Sequence, residues 1–305
     1  MKSIALNPAL ANVSIVFIYA AMALYTIAFL SFATHLSRRI SDKKQVREAA
    51  GPLEKFAMTM MIVAAISHGV GVVLRGIAAS RVPWANMYEF SITASFLIVA
   101  IFLAALFFVL DIRIIAVMVS GFALLVLGAA TTWFWVDVKS LMPALQSYWL
   151  VIHVTVAILA TAFFNIAAAL SVAYLLKTST WLKKSKTKLA GTAKRVLALF
   201  TEENKLEKMA YRFNIIGFIL WTFTLIAGAI WAERAWHRYW GWDTKEVWTF
   251  IIWTIYAGYL HANATRGWSG RRSAWLALIG FAAILFNFTI VNLFFKGLHV
   301  YSGLK

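Results

Sequence analysis

Long apolar stretches alternate along this chain with short segments that hold nearly all of its charge. A helix needs about 20 mostly apolar residues to cross a hydrocarbon core about 30 Å thick. By that measure the pattern predicts eight spans: Val13–Thr34, Phe56–Leu74, Tyr88–Leu110, Ile114–Phe134, Trp149–Leu176, Phe213–Trp231, Val247–Asn263 and Ala274–Phe295. Only Asp111–Arg113 separates the third from the fourth, and the seventh is short and polar where it begins. The expected fold is an all-α polytopic membrane bundle, a single transmembrane domain over residues 1–305.

Composition agrees. Hydrophobic residues make up 62% of the chain and charged residues 13%, about half the charged share of a soluble domain. The net charge of +17 raises the question of nucleic acid, but the charges sit between apolar runs. There they orient a membrane protein and meet anionic lipid headgroups, so membrane lipid is the expected partner and nucleic acid is not. The chain has no cysteine, which excludes disulfides, thiolate ligands and a cysteine nucleophile. Its first apolar run is long enough to remain as a span, and no short core with a cleavage site follows a basic start.

Lys and Arg set the orientation. The loops His35–Lys55, Asp111–Arg113, Lys177–Lys208 and Ala264–Ser273 hold 6, 1, 9 and 3 of them, nineteen in all, against nine in the alternate set. The first set is expected in the cytoplasm, with both termini outside. The basic loop 177–208 contains an amphipathic stretch, Lys188–Phe200. Leu189, Ala193, Val196, Leu197 and Phe200 recur there at helical spacing, opposite Lys188, Lys194 and Arg195. It reads either as a helix lying on the inner leaflet or as a solvated basic linker.

Six histidines are then sorted by depth. His35, beside Arg38 and Arg39, reads as a plain interfacial residue. His68 and His261 lie within spans, where an ionisable side chain is costly and points to function, although a satisfied core histidine fits either one. His153 and His299 lie near the outer surface on separate spans, and two imidazoles at matching depth can fill both axial positions of a haem iron. A structural zinc site would want four ligands at short spacing, which this sequence lacks.

Between the sixth and seventh spans, residues 231–248 carry Trp231, Trp236, Tyr239, Trp240, Trp242 and Trp248, interleaved with Arg234, Arg238, Asp243 and Glu246. Trp and Tyr favour membrane interfaces, so an aromatic belt is the plain explanation. A belt needs no charges woven between its rings. A flat macrocycle with two carboxylates needs aromatic faces to stack on and cations for its propionates.

The stretch Trp236–Glu246 resembles the tryptophan-rich "WWD" signature of haem-handling proteins in cytochrome c biogenesis. Other landmarks resemble one branch, the CcsA/ResC-type subunit of the System II cytochrome c synthetase. They are His68, the run Pro83-Trp-Ala-Asn86-Met87-Tyr88-Glu89, Trp149 with His153, Tyr259 with His261, Arg266 with Trp268, Asn292, and Gly297 with His299. His237 and Thr244 depart from the pattern, standing where glycine and proline are expected.

The resemblance implies passage of haem b from the cytoplasmic side to an outer site. Covalent attachment to apocytochrome c, through a Cys-x-x-Cys-His sequence, would follow there. It implies a cytochrome c haem lyase that works with a ResB-type partner subunit, in a bacterial plasma membrane or a plastid membrane. By that analogy His68 and His261 ligate haem within the membrane, and His153 and His299 ligate it at the outer face. Trp236, Tyr239, Trp240, Trp242, Asp243 and Glu246 would form the reacting platform, with Trp231, Arg234, Arg238 and Trp248 binding around it. His68 lies about 18 Å from the inner edge and His261 about 22 Å from the outer one, depths that differ by roughly 10 Å in such a core. A haem exporter that loads a separate chaperone, and a non-catalytic assembly scaffold, are the competing readings.

The orientation is testable in a chain without cysteine. A single cysteine at position 185 should resist an impermeant thiol reagent in intact cells and react after lysis. Labelling from outside would reverse the topology.

Overall fold

The computed structural model describes residues 6–41, 51–108, 112–140, 146–199, 202–265, 267–295 and 297–298. His299 and Arg266 lie outside the described residues. The order is α1 (Pro8–Ser41), α2 (Pro52–Ala79), α3 (Met87–Phe108), α4 (Ala116–Trp133), α5 (Tyr148–Lys177), the short α6 (Thr180–Lys184), α7 (Lys188–Leu199), α8 (Glu203–Trp236), α9 (Thr244–Thr265) and α10 (Arg271–Phe286). A π-helical turn at Asn287–Val291 leads into α11 (Asn292–Phe294). The all-α bundle expected from the apolar pattern is what forms.

Among the described residues, seven helices are long and apolar enough to cross a membrane. The remaining expected span, the seventh, corresponds to α9, whose 22 residues reach about 33 Å at 1.5 Å per residue. It is long enough, but Lys245, Glu246, His261 and Asn263 lower its apolar character.

In lipid, helices are not driven together by burial, because hydrocarbon tails are as apolar as side chains. They associate through close packing and interhelical hydrogen bonds. The α1–α2 pair shows this. Ser14, Ile18, Ala21, Tyr25, Ala28 and Phe32 of α1 are buried at alternating spacings of four and three. They meet Ala57, Met61, Ala64, His68, Gly71 and Arg75 of α2, spaced likewise, and such spacing forms a continuous seam. At Gly71 the backbones come close enough for the Ser14 hydroxyl to donate to the Gly71 carbonyl at 2.7 Å. A Cβ there would lie 2.8 Å from the Ile18 side chain.

Helix α5 is central, touching α3, α4, α7, α8 and α10. It is apolar on every side, as a helix enclosed by neighbours must be. Its Phe164 lies against Gly217 of α8 and stacks on Tyr256 of α9 at 3.7 Å. The amphipathic stretch in the basic loop is helical, as α7, and its apolar side is taken up by protein. Ala190 and Leu197 are buried, and Ala193 and Val196 pack on the same core, with α1, α5 and α6 as neighbours.

At the opposite end of the bundle, α2 and α3 are joined by residues 80–86. The fully buried Glu89 accepts from Arg75 Nε at 3.1 Å, from Arg81 Nη1 at 2.5 Å and from the Ala85 amide at 3.0 Å. Arg75, also fully buried, donates to the Val136 carbonyl at 2.8 Å and lies over the rings of Tyr88 and Trp135. Removing one partner of a buried ionic network strands the others. Glu89→Gln should therefore destabilise the bundle by about 3–5 kcal/mol, seen as a lower melting temperature in detergent. An unchanged melting curve would show that the network contributes nothing to stability.

Candidate functional site

A cavity of about 160 Å³, partly open to its surroundings, lies at the end of the bundle that carries the Trp-rich loop. Its walls come from distant parts of the chain. They are the 84–90 segment, one face of α5 from Leu150 to Thr161, Trp221, Thr224 and Trp231 of α8, Lys245 and Thr249 of α9, and Ile284 to Asn292 around the π-helical turn. The lining is mainly apolar and aromatic, with a few polar groups at set places, as expected of a small-molecule site.

His153 stands in that wall. Its Nδ1 lies 3.0 Å from the Thr224 carbonyl, and since a carbonyl only accepts, Nδ1 carries the proton. In the neutral ring the lone pair is then on Nε2, the tautomer that a metal-binding imidazole requires. Trp231 stacks on the ring with centroids 5.8 Å apart. Gly228 makes room for it, because a Cβ there would lie 2.8 Å from His153 Cε1.

The irregular part of the Trp-rich segment is shorter than the apolar pattern implies. Trp231–Trp236 remain in α8, and Thr244–Trp248 already belong to α9. Hydropathy marks where lipid ends, whereas a helix continues while its backbone is satisfied, so the loop proper is 237–243. Asp243 caps α9, accepting from the Lys245 amide at 2.8 Å. Glu246 reaches back to the Asp243 amide at 3.1 Å and the Gly241 amide at 2.7 Å, completing a capping box. Between those two held amides Trp242 sits at φ 58, a rare conformation for a bulky residue, which costs of order 1–3 kcal/mol. Its ring is 79% exposed and meets Trp240 edge-on at 6.0 Å. Asp243 also accepts from the Leu298 amide at 2.7 Å, which ties the loop to the residue just before His299.

The structure brings some predicted residues together and leaves others apart. His153 and Trp231 line the cavity. Trp236 packs on Trp231 at 4.8 Å and Trp248 on Phe286 at 4.4 Å, both outside the lining. Tyr239, Trp240 and Trp242 point outward. Arg234 is exposed near Glu233, and Arg238 lies across Gly241, so neither reaches the cavity wall. His68 is fully buried between Tyr25 of α1 and Phe96 of α3. His261 is on an exposed face of α9, which packs on α8 and α10, so these two imidazoles are not brought together. His35 pairs with Glu54 at 3.3 Å.

Sequence reasoning missed Lys245, Asn287, Gly228 and Thr224 as site residues. The capping-box spacing Asp243-x-x-Glu246 was legible, but Glu246 read as a chemical group instead of a backbone clip.

Fold and cavity together define an integral membrane protein with a candidate ligand site at one end of its bundle. Residues 84–299 match the family described as cytochrome C assembly protein. The cytochrome c biogenesis protein CcsA of Guillardia theta is 34% identical, over 80% of this chain and 84% of that protein. The CcsA of Gloeobacter violaceus is 32% identical, over 76% and 81%. The CcsA of a Prochlorococcus marinus strain is 40% identical over a shorter region, 54% of this chain and 57% of that one. Among solved structures, the cytochrome c haem lyase CcmF superposes with a TM-score of 0.66 at 16% identity. The alignment covers 94% of this chain but only about half (48%) of that one. The chain belongs to the cytochrome c assembly protein family and is of the CcsA type.

The two departures from the family signature have a physical explanation. His237 occupies the left-handed position that ends α8, with φ 55, where glycine is favoured. Thr244 is the first residue of α9, where proline is favoured. A left-handed L-residue costs about 1–2 kcal/mol, so His237→Gly should stabilise the protein by about 1 kcal/mol and raise its melting temperature in detergent. A lower melting temperature would mean that the imidazole itself holds the turn.

Proposed function

We propose that this chain carries haem b as cargo to the cavity beneath the Trp-rich loop. There, with a ResB-type partner subunit, it joins the haem covalently to apocytochrome c. The observation that carries this reading is His153, set in an aromatic wall with its proton on Nδ1 and its lone pair on Nε2. Asp243, through Leu298, tethers the strand that leads to His299, the proposed second axial ligand. The excess of Lys and Arg at the other end of the bundle supports an outward-facing cavity.

In the proposed reaction each thiol of a Cys-x-x-Cys-His sequence adds across a haem vinyl group. A carbon–sulfur bond forms, the vinyl π bond is consumed, and the thiol hydrogen ends on the neighbouring carbon. The step is redox-neutral and needs no nucleophile from a chain that has no cysteine. What the protein supplies is orientation. Trp231 would back the ring from the cavity wall. Tyr239, Trp240 and Trp242, exposed outside the lining, would meet it only at an edge that protrudes, and Asp243 and Glu246 hold the loop that carries them. For the membrane-embedded stage of transfer the proposal rests on His68, because His261 does not face it in this packing.

The test is co-expression with the partner and an apocytochrome, scored by haem stain of the cytochrome and by the absorption spectrum of the purified chain. His153→Gly should abolish covalent product, and added imidazole should restore part of it by entering the vacated coordination position. Trp240→Ala with Trp242→Ala should leave an inserted protein with product reduced at least tenfold. Normal cytochrome yield from both variants would sink the proposal and return the loop to an aromatic belt.

A further inference from the structure

The cavity needs a cation if it is to hold a ligand bearing carboxylates. Arg234 and Arg238 do not line it. Among the described residues, the formally charged side chain that lines it is Lys245. Its neighbours are arranged for a charge. Nζ donates to Asn292 Oδ1 at 2.6 Å and approaches the Asn287 carbonyl at 3.5 Å. Asn292 is set with its oxygen toward the lysine, because its amide nitrogen donates to the Phe288 carbonyl at 2.7 Å. The π-helical turn Asn287–Val291 places both asparagines on this side of the chain, and such turns recur at functional sites.

Both acceptors are neutral, and an ammonium has three donors, so the pair leaves donor capacity in a mainly apolar chamber. The neighbouring carboxylates are held by backbone amides, and Asp243 is near enough to favour the charged form of the lysine. Asp243 accepts from the Lys245 and Leu298 amides, and Glu246 from the Gly241 and Asp243 amides. A partly buried ammonium on neutral acceptors gains most from an incoming anion, because a charge-assisted hydrogen bond is about twice as strong as a neutral one.

We infer that Lys245, presented by Asn292 and Asn287, receives a carboxylate of the ligand in this cavity and so fixes which edge of the flat ring enters. The inference rests on the proposed haem cargo and adds what selects its orientation. Lys245 on one wall and His153 on another give the ring two fixed points, a propionate and the iron. A ring with two such points cannot turn over without losing one.

The experiment compares haemin with its dimethyl ester, which keeps the ring and iron but removes both negative charges. Each is titrated spectroscopically into the purified full-length chain in detergent, for wild type, Lys245→Met and His153→Gly. A charge-assisted bond is worth about 1.5–3 kcal/mol, so wild type should prefer the free acid by about tenfold or more. Lys245→Met should lose that preference while binding the ester as wild type does, which also shows that the variant is folded. Wild type binding both forms equally, or Lys245→Met keeping the preference, would overturn the inference and reduce Lys245 to a clip between α9 and the π-helical turn. Binding of neither form by wild type, or a His153→Gly spectrum identical to wild type, would overturn the haem reading itself.

Discussion

The buried carboxylate of Glu89 is the interaction on which the cavity depends. It gathers two guanidinium groups and a backbone amide from α2 and the 80–86 connection. Through Arg75 it also holds the Val136 carbonyl beyond α4. Charges in a low-dielectric interior are tolerated only when paired and hydrogen-bonded. The network therefore constrains the positions of three chain segments at once. Trp84, Asn86, Met87 and Phe90, which line the cavity, are set by that constraint. Stacking of Arg75 on Tyr88 and Trp135 adds a cation–π contribution of about 2 kcal/mol when desolvated.

The same local device recurs at the start of α3 and of α9. Asn86 caps α3 by accepting from the Glu89 amide at 2.9 Å, and Glu89 reaches back to the Ala85 amide. Asp243 caps α9, and Glu246 reaches back to Gly241 and Asp243. In each case a carboxylate three residues into the helix clips the entering loop. A loop near the membrane has few waters to satisfy its amides, so internal acceptors fix its shape. The rigidity gained at 241–243 holds Trp242 in its left-handed conformation and keeps the Trp240–Trp242 pair on the outside.

The division of labour in the bundle follows from helix chemistry. The α1–α2 seam encloses His68 with Tyr25, and His68 takes no part in the cavity lining. Helices α5 and α8 carry the cavity because Gly228 lets the His153 ring approach α8 and Thr224 offers its carbonyl. Helices α9 and α10 supply polarity, Lys245 from one and the two asparagines from the turn that ends the other. The helices, the 84–86 connection and the π-helical turn thus supply the cavity wall, while the clipped 237–243 loop stands outside it.

The spans, the basic end and the Trp-rich segment were legible in the sequence, because crossing a bilayer demands long apolar runs and Lys and Arg collect on one side. His153 was legible by depth, since each helical residue advances a fixed 1.5 Å. Depth does not give rotation about the helix axis. In a chain that is apolar on nearly every face, no polar stripe shows which side meets protein and which meets lipid. The sequence therefore could not turn His261 away from His68, exclude Arg234 and Arg238 from the cavity, or turn Lys245 into it. Those outcomes were decided by how the helices fit one another, with Gly71 admitting the α1 backbone and Gly217 and Gly228 admitting the rings of Phe164 and His153, and such a fit is a property of pairs of surfaces that a single chain's pattern does not contain.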